Sequence, residues 1–334
     1  MNQTANETAE AQLGKARRRK FPIPVALNVM LWLLIQTVIV LCWLLPVWAA
    51  DHLLAILLFA FIYGAVSQPL YALLHEAMHD IFSRNRLLND SAGFTLSVWM
   101  FSSFHLLRLV HLGHHVSNRS RRERIEYYDD NGSRWQQALF YYAVLLGLNW
   151  VGFVLQNLLF LLLPTALIRR LGLDRNLGAT LPPMKDRDLR RIRLEFGATL
   201  LVYAAILWLT PVSGLQLACF LFANAMFYSQ IRYIYHYKAK FDVVEGAYDL
   251  KAPHWLQWFL LNSNYHLTHH RNPKVPWLYA PRVAAPGSMQ YSVAYKLKEQ
   301  WRGVLPESSQ PEREGRTITW NGDSMLAVFN GTEE

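Results

Sequence analysis

Four stretches of this chain carry no Asp, Glu, Lys or Arg: residues 21–50, 53–74, 135–168 and 196–231. An apolar run of about 18 or more residues is long enough to cross a hydrocarbon core roughly 30 Å thick. The runs therefore predict an all-α integral membrane protein, and a composition that is 52% hydrophobic and 17% charged agrees with that class. The only cysteines, Cys42 and Cys219, lie inside apolar runs. That excludes a disulfide framework and a CxxC motif for iron–sulfur or thiol chemistry. The net charge of +9 comes from basic residues beside apolar segments, a pattern of membrane topology rather than of nucleic-acid binding.

Residues 51 and 52 separate the first two runs, which predict a helical hairpin. Residues 15–20 hold five Lys and Arg just before it, placing the N-terminus in the cytoplasm. The first run exceeds the roughly 7–15 residues of a signal-peptide core. Ala49 and Ala50 mimic a cleavage site, but cutting there would divide the hairpin. Residues 196–231 predict a second hairpin, turning around Thr210, Pro211 and Gly214. Between the hairpins, Arg169, Arg170, Arg175, Lys185, Arg187, Arg190, Arg191 and Arg193 mark a cytoplasmic loop. Residues 135–168 must then cross twice or not at all; Gly147, Asn149 and Gly152 interrupt them. Residues 91–107, with four serines, are expected to lie along the interface or dip in and return. The expected architecture is four transmembrane helices in two hairpins, plus interfacial helices and a cytoplasmic histidine-rich cap. It divides into a disordered basic N-terminus (1–20), a membrane domain (21–285) and a cytoplasmic C-terminal tail (286–334) with an amphipathic helix around 289–303.

The cap is defined by histidines. His75 and His79 are spaced i, i+4; His111, His114 and His115, like His266, His269 and His270, are spaced i, i+3, i+4. On a helix such positions share one face. Imidazole suits zinc, copper, iron and nickel, and eight clustered histidines out of twelve are too many for one ion and suit two. His236, at the end of the last run, is a ninth candidate. Bonds of about 2.0–2.1 Å require all nine on one side of the membrane, as the charge asymmetry also implies. His52 falls on the other side, and His105 and His254 are read as interfacial or supporting groups. Glu76, Asp80, Asp129, Asp130, Asp242, Glu245 and Asp249 are available to accept the second N–H of a ligand ring. No catalytic residue is assigned beyond the metal centre.

Residues 75–79 also fit HExxH, the zinc hydrolase motif, with Glu76 as general base. That reading needs one further ligand and leaves two HxxHH clusters without a role. A metal transporter would need ionisable groups inside its spans, and these runs lack them. Adjacent metals with few carboxylate ligands favour redox chemistry with dioxygen.

His75-Glu-Ala-Met-His79, His111-Leu-Gly-His-His115 and His266-Leu-Thr-His-His270, with four spans, resemble the membrane fatty acid desaturase superfamily. That group includes carotenoid ketolases and hydroxylases and alkane hydroxylases. Asp242, Glu245, Gly246 and Tyr248 before the third cluster, with Pro273, Pro276 and Trp277 after it, look most like bacterial acyl desaturases. The resemblance implies a centre of two ferrous ions held by the eight clustered histidines, with His236 matching a further ligand near the end of the fourth span. It also implies a dioxygen-dependent attack on an unactivated C–H bond of a lipid acyl chain, giving a double bond or an alcohol. The alkane hydroxylases place a related histidine in a longer asparagine–tyrosine motif, whereas this chain has Ile234-Tyr-His-Tyr237. With no CxxC, haem domain or GxGxxG loop, the two electrons per turnover must come from a separate donor: ferredoxin, rubredoxin or a cytochrome, with its reductase. Residues 119–124 and 169–193 are basic enough to steer such a carrier, or to face anionic lipid.

Overall fold

The structure is a computed structural model that describes residues 21–49, 52–176 and 184–309. The basic run at 15–20, the hairpin residues 50 and 51, and the tail from 310 onward lie outside the described residues. Eight principal helices follow in order: α1 (Val25–Leu44), α2 (His52–Met78), α3 (Arg86–Trp99), α4 (Phe104–Ser117), α5 (Arg134–Leu145), α6 (Leu148–Leu162), α7 (Asp186–Leu209) and α8 (Gly214–Tyr233). After α8 comes mostly irregular chain carrying a short helix, α9 (His266–Arg271).

Among the described residues, three helices are long and apolar enough to cross a membrane, α1 with its 3₁₀ extension to Trp48, α2 and α7, or up to five spans if each of two bent helix pairs counts as one. Their outward leucines, among them Leu34, Leu54, Leu57 and Leu201, are exposed, as lipid-facing residues must be. Trp48 and Trp208, at the ends of α1 and α7, are 83% and 86% exposed, where amphipathic indoles anchor at a membrane interface. Residues 91–107 fall in the pair α3–α4, bent by 96°, and residues 135–168 hold the pair α5–α6, bent by 76°. Phe101 (φ 50°) breaks the first pair and Gly147 (φ 110°) the second. At Gly147 a side chain would also press on Ala225 of α8.

The expected fourth span, α8, is helical over 20 residues, but its most apolar stretch falls short of those of the other three. Its composition follows from its place. It packs along α2 more extensively than any other helix pair, and also against α6. Its polar residues Gln216, Asn224 and Ser229 are buried in protein, with Gln216 donating to the Trp43 carbonyl at 2.7 Å. Gly64 of α2 permits the approach: a Cβ there would sit 2.6 Å from the Phe227 ring. Trp43, Tyr63, Tyr203 and Phe220 join α1, α2, α7 and α8 in one aromatic cluster.

Residues 286–309 fold back over the irregular region. Strand β3 (Met289–Ser292) pairs in parallel with β2 (Asp249–Lys251), and β4 (Leu305–Pro306) pairs with β1 (Tyr127–Tyr128). Between them, helix Val293–Glu299 occupies the region where an amphipathic helix was expected. It buries Lys296, whose Nζ donates to the Tyr237 carbonyl (2.6 Å) and to Glu299 (2.8 Å).

Candidate metal centre

All four histidine-bearing elements end or begin at one level. The turns of α2 continue through His79, where Asp80 turns left-handed (φ 59°). The Asp80 and Ile81 amides then cap the carbonyls of Ala77 and Glu76, the arrangement that closes a helix with a left-handed residue. Helix α4 carries the second cluster, and His236 follows the end of α8. Helix α9 is too short to hold itself together in isolation. Asp249 of β2 fixes its first turn by accepting from the Thr268 amide (2.9 Å) and hydroxyl (2.6 Å).

The nine imidazoles fall into two groups. His75, His79, His111, His115 and His269 form one; His114, His236, His266 and His270 form the other. Within each, the ligand nitrogens all lie within 4.8 Å of one another. Bonds of about 2.0–2.1 Å to one ion place opposite nitrogens about 4 Å apart, so each group has the dimensions of a single metal site.

The division refines the one-face reading. Successive helical residues turn by about 100°, so i+3 and i+4 diverge around the axis even though both lie near i. On α4 the i, i+4 pair His111 and His115 joins the first group while His114 faces the second. On α9 the pattern inverts: His266 and His270 join the second group and His269 crosses to the first.

Nitrogens converge within the groups. His79 Nε2 lies 2.8 Å from His111 Nε2, His269 Nε2 lies 2.9 Å from His115 Nε2, and His236 Nε2 lies 2.9 Å from His266 Nε2. Two ring atoms, His75 Nε2 in the first group and His270 Nε2 in the second, are buried with no hydrogen-bond partner. A buried lone pair without a partner is costly, and a metal ion would satisfy it. Burial, reinforced by neighbouring imidazoles, pushes the pKa values of His236, His266 and His270 well below the ordinary range, and that of His269 down to about 3. These rings are neutral at pH 7, the form that ligates. The donor set fits two first-row metal ions.

Supporting contacts are clearest in the second group. His236 Nδ1 donates to the Gly246 carbonyl at 2.8 Å, and His114 Nδ1 donates to Glu123 at 2.7 Å. Glu123 was not among the carboxylates proposed from sequence, because it lies in the arginine-rich 119–124 stretch. Ser117 donates to its other oxygen. Glu76 accepts the Trp277 amide at 3.2 Å, and Glu245 pairs with Arg271. The remaining histidines stand apart: His105 bonds Asp188 (3.0 Å), His254 accepts from the Trp258 indole (3.2 Å), and His52 begins α2. With about 1.5 Å of rise per residue, His52 is some 35 Å from His75.

The 119–124 stretch is largely structural. Arg119 is buried against Glu126 at 2.7 Å and Arg124 pairs with Glu307, whereas Arg122 is exposed. Beyond it, Arg169 pairs with Asp174 and Asp186, and Arg191 with Asp90 and Glu195.

A cavity of about 590 Å³ opens onto both groups, reaching His75 and His111 of the first and His114, His236 and His266 of the second. Leu107, Phe140, Val144 and Phe153 line its apolar part. The model of the fatty acid desaturase family matches residues 51–299, about three-quarters of the chain. The chain belongs to the fatty acid desaturase family. No curated protein matches it. The family, the apolar helices and the two histidine groups are consistent with a membrane-bound di-iron oxidoreductase.

Proposed function

We propose that the protein is a dioxygen-dependent fatty acyl desaturase whose two histidine groups each hold one ferrous ion. The observation that carries this reading is the pairing of two one-ion nitrogen sets on the wall of a single cavity. Its volume lies within the roughly 300–1,000 Å³ of ligand pockets. When bound, the iron pair supplies the power to oxidise an unactivated C–H bond. The protein's own part is positional. The α4 and α9 histidines fix the two sets side by side, Glu123 and Gly246 orient His114 and His236, and the apolar wall holds a chain beside them and excludes water.

In this reading α1, α2, α7 and α8 form two membrane hairpins with both termini and the histidine face in the cytoplasm. Reducing equivalents come from a separate ferredoxin, rubredoxin or cytochrome with its reductase. Among the described residues, the exposed Arg122, Arg170, Lys185 and Arg190 remain available to steer it.

Expression in a host of known lipid composition, followed by mass spectrometry of its acyl chains, tests the reaction. Chains lighter by two hydrogens support desaturation; chains heavier by one oxygen make the protein a hydroxylase instead. Metal analysis of the purified protein separates both from a zinc hydrolase: two irons per chain against one zinc.

A further inference from the structure

The cavity that serves the histidine groups is not uniformly apolar. On the wall formed by α6 and α8, three lining side chains carry buried polar atoms that have no hydrogen-bond partner: Gln156 Nε2, Ser229 Oγ and Arg232 Nε. Gln156 and Ser229 are 5% and 4% exposed. All three atoms can donate, and Nε2 of Gln156 and Nε of Arg232 can only donate. Ser229 and Arg232 stand at i and i+3, on one face of α8, and α6 packs against that helix. A buried donor left unpaired is costly, so three on one wall are unfavourable unless something accepts from them.

Arg232 adds a charge to the same wall. No carboxylate pairs with it among the described residues. Its Nη2 donates to Gln68 at 3.1 Å, and its guanidinium lies over the Tyr71 and Tyr235 rings at 4.7 and 5.5 Å. Both contacts orient the group and neither neutralises it. Arg119, which is buried on the same cavity, differs in having Glu126 opposite. A cation with no carboxylate partner beside unpaired donors, on the wall of a cavity whose other side carries Leu107, Val110, Phe140 and Phe153, fits an anionic oxygen group on an apolar chain.

We propose that Arg232, with Gln156 and Ser229, binds the carboxylate of a long-chain acid, so that the substrate is a free fatty acid rather than an esterified lipid. The inference rests on the acyl-oxidising reading of the cavity. The carboxylate accepts from the guanidinium and from the serine and glutamine donors, while the chain runs along Leu107, Phe140 and Phe153. Charge and hydrogen bonding together set where the chain stops, and hence which carbons lie beside the histidines.

Binding to the purified full-length protein, metal-loaded and metal-free, tests this without turnover. The probes are a long-chain fatty acid, its methyl ester and the alkane of equal length. The wild-type protein binds the acid tightest. Arg232→Gln weakens the acid by about 10–100-fold, the scale of one charged hydrogen bond, and leaves the alkane unchanged. Arg232→Lys recovers part of the loss, and Ser229→Ala and Gln156→Leu each weaken the acid by less. Equal affinity for acid and ester, or equal losses for acid and alkane in Arg232→Gln, overturns the proposal. Should Arg232→Gln not fold, the Ser229 and Gln156 variants decide by the same acid-over-alkane ratio. Iron content, measured in parallel, reports on the metal reading separately.

Discussion

The two histidine groups do the same job with different means. The first takes its five rings from three helices, and four of them, His75, His79, His111 and His115, come from α2 and α4. The second takes four rings from three elements and includes His236, which sits on irregular chain after α8. Long helices need no outside help to hold a ring at a fixed level. A ring on irregular chain or a very short helix does, and there the structure provides it: the Gly246 carbonyl for His236 and Asp249 for the short helix α9. Where secondary structure is weak, positioning passes to individual hydrogen bonds.

The largest effect should separate the groups by ligand count. His270→Ala leaves three nitrogens in the second group; turnover should vanish and iron fall from two per chain to one. His115→Ala leaves four in the first group and should retain two irons at reduced affinity. Equal metal loss in both variants would show that the groups act as one unit. Next, Glu123→Gln should lower metal affinity or activity by about 10–100-fold, the usual cost of losing a ligand's outer partner, and spare the first group's ion. Metal titration followed by kinetics checks it. Asp249→Ala removes two accepted bonds at α9 and should cost about 1–3 kcal/mol, read from thermal unfolding in detergent.

The smallest effect is the pH dependence of the metal-free protein. His236, His266, His269 and His270 have pKa values lowered by burial. The unfolded chain takes up protons near pH 6.5 that the folded chain refuses, so their contribution is fully present above that value. It is lost as pH falls, for His269 down to about 3. A melting temperature that rose on acidification would contradict the burial.

Helix geometry made much of this legible in advance. Histidines at i, i+3 and i+4 on uncharged or amphipathic helices announce a shared face, and the charge-free runs announce α1, α2 and α7. What stayed hidden depends on tertiary placement. Whether α4 gives His114 to one group or the other turns on where a partner helix lies, not on spacing. The role of Glu123 was masked by the arginines around it, two of which are spent on Glu126 and Glu307. Gln156 and Ser229 sit inside charge-free stretches, where a polar residue reads as tolerated until a cavity is seen beside it. The path of residues 289–306 back to β1 and β2 rests on backbone pairing, which local sequence does not encode.

The uneven sourcing of the two groups sets a timetable for synthesis. Four nitrogens of the first group have emerged once residue 115 leaves the ribosome, while the second then has only His114. At about 5–20 residues per second, His270 follows roughly 8–30 s later. On the proposed reading of one iron per group, a nascent chain could capture the first ion while the second waits for a nearly finished one, so scarcity of iron during translation would yield half-loaded protein with its vacancy always on the same side.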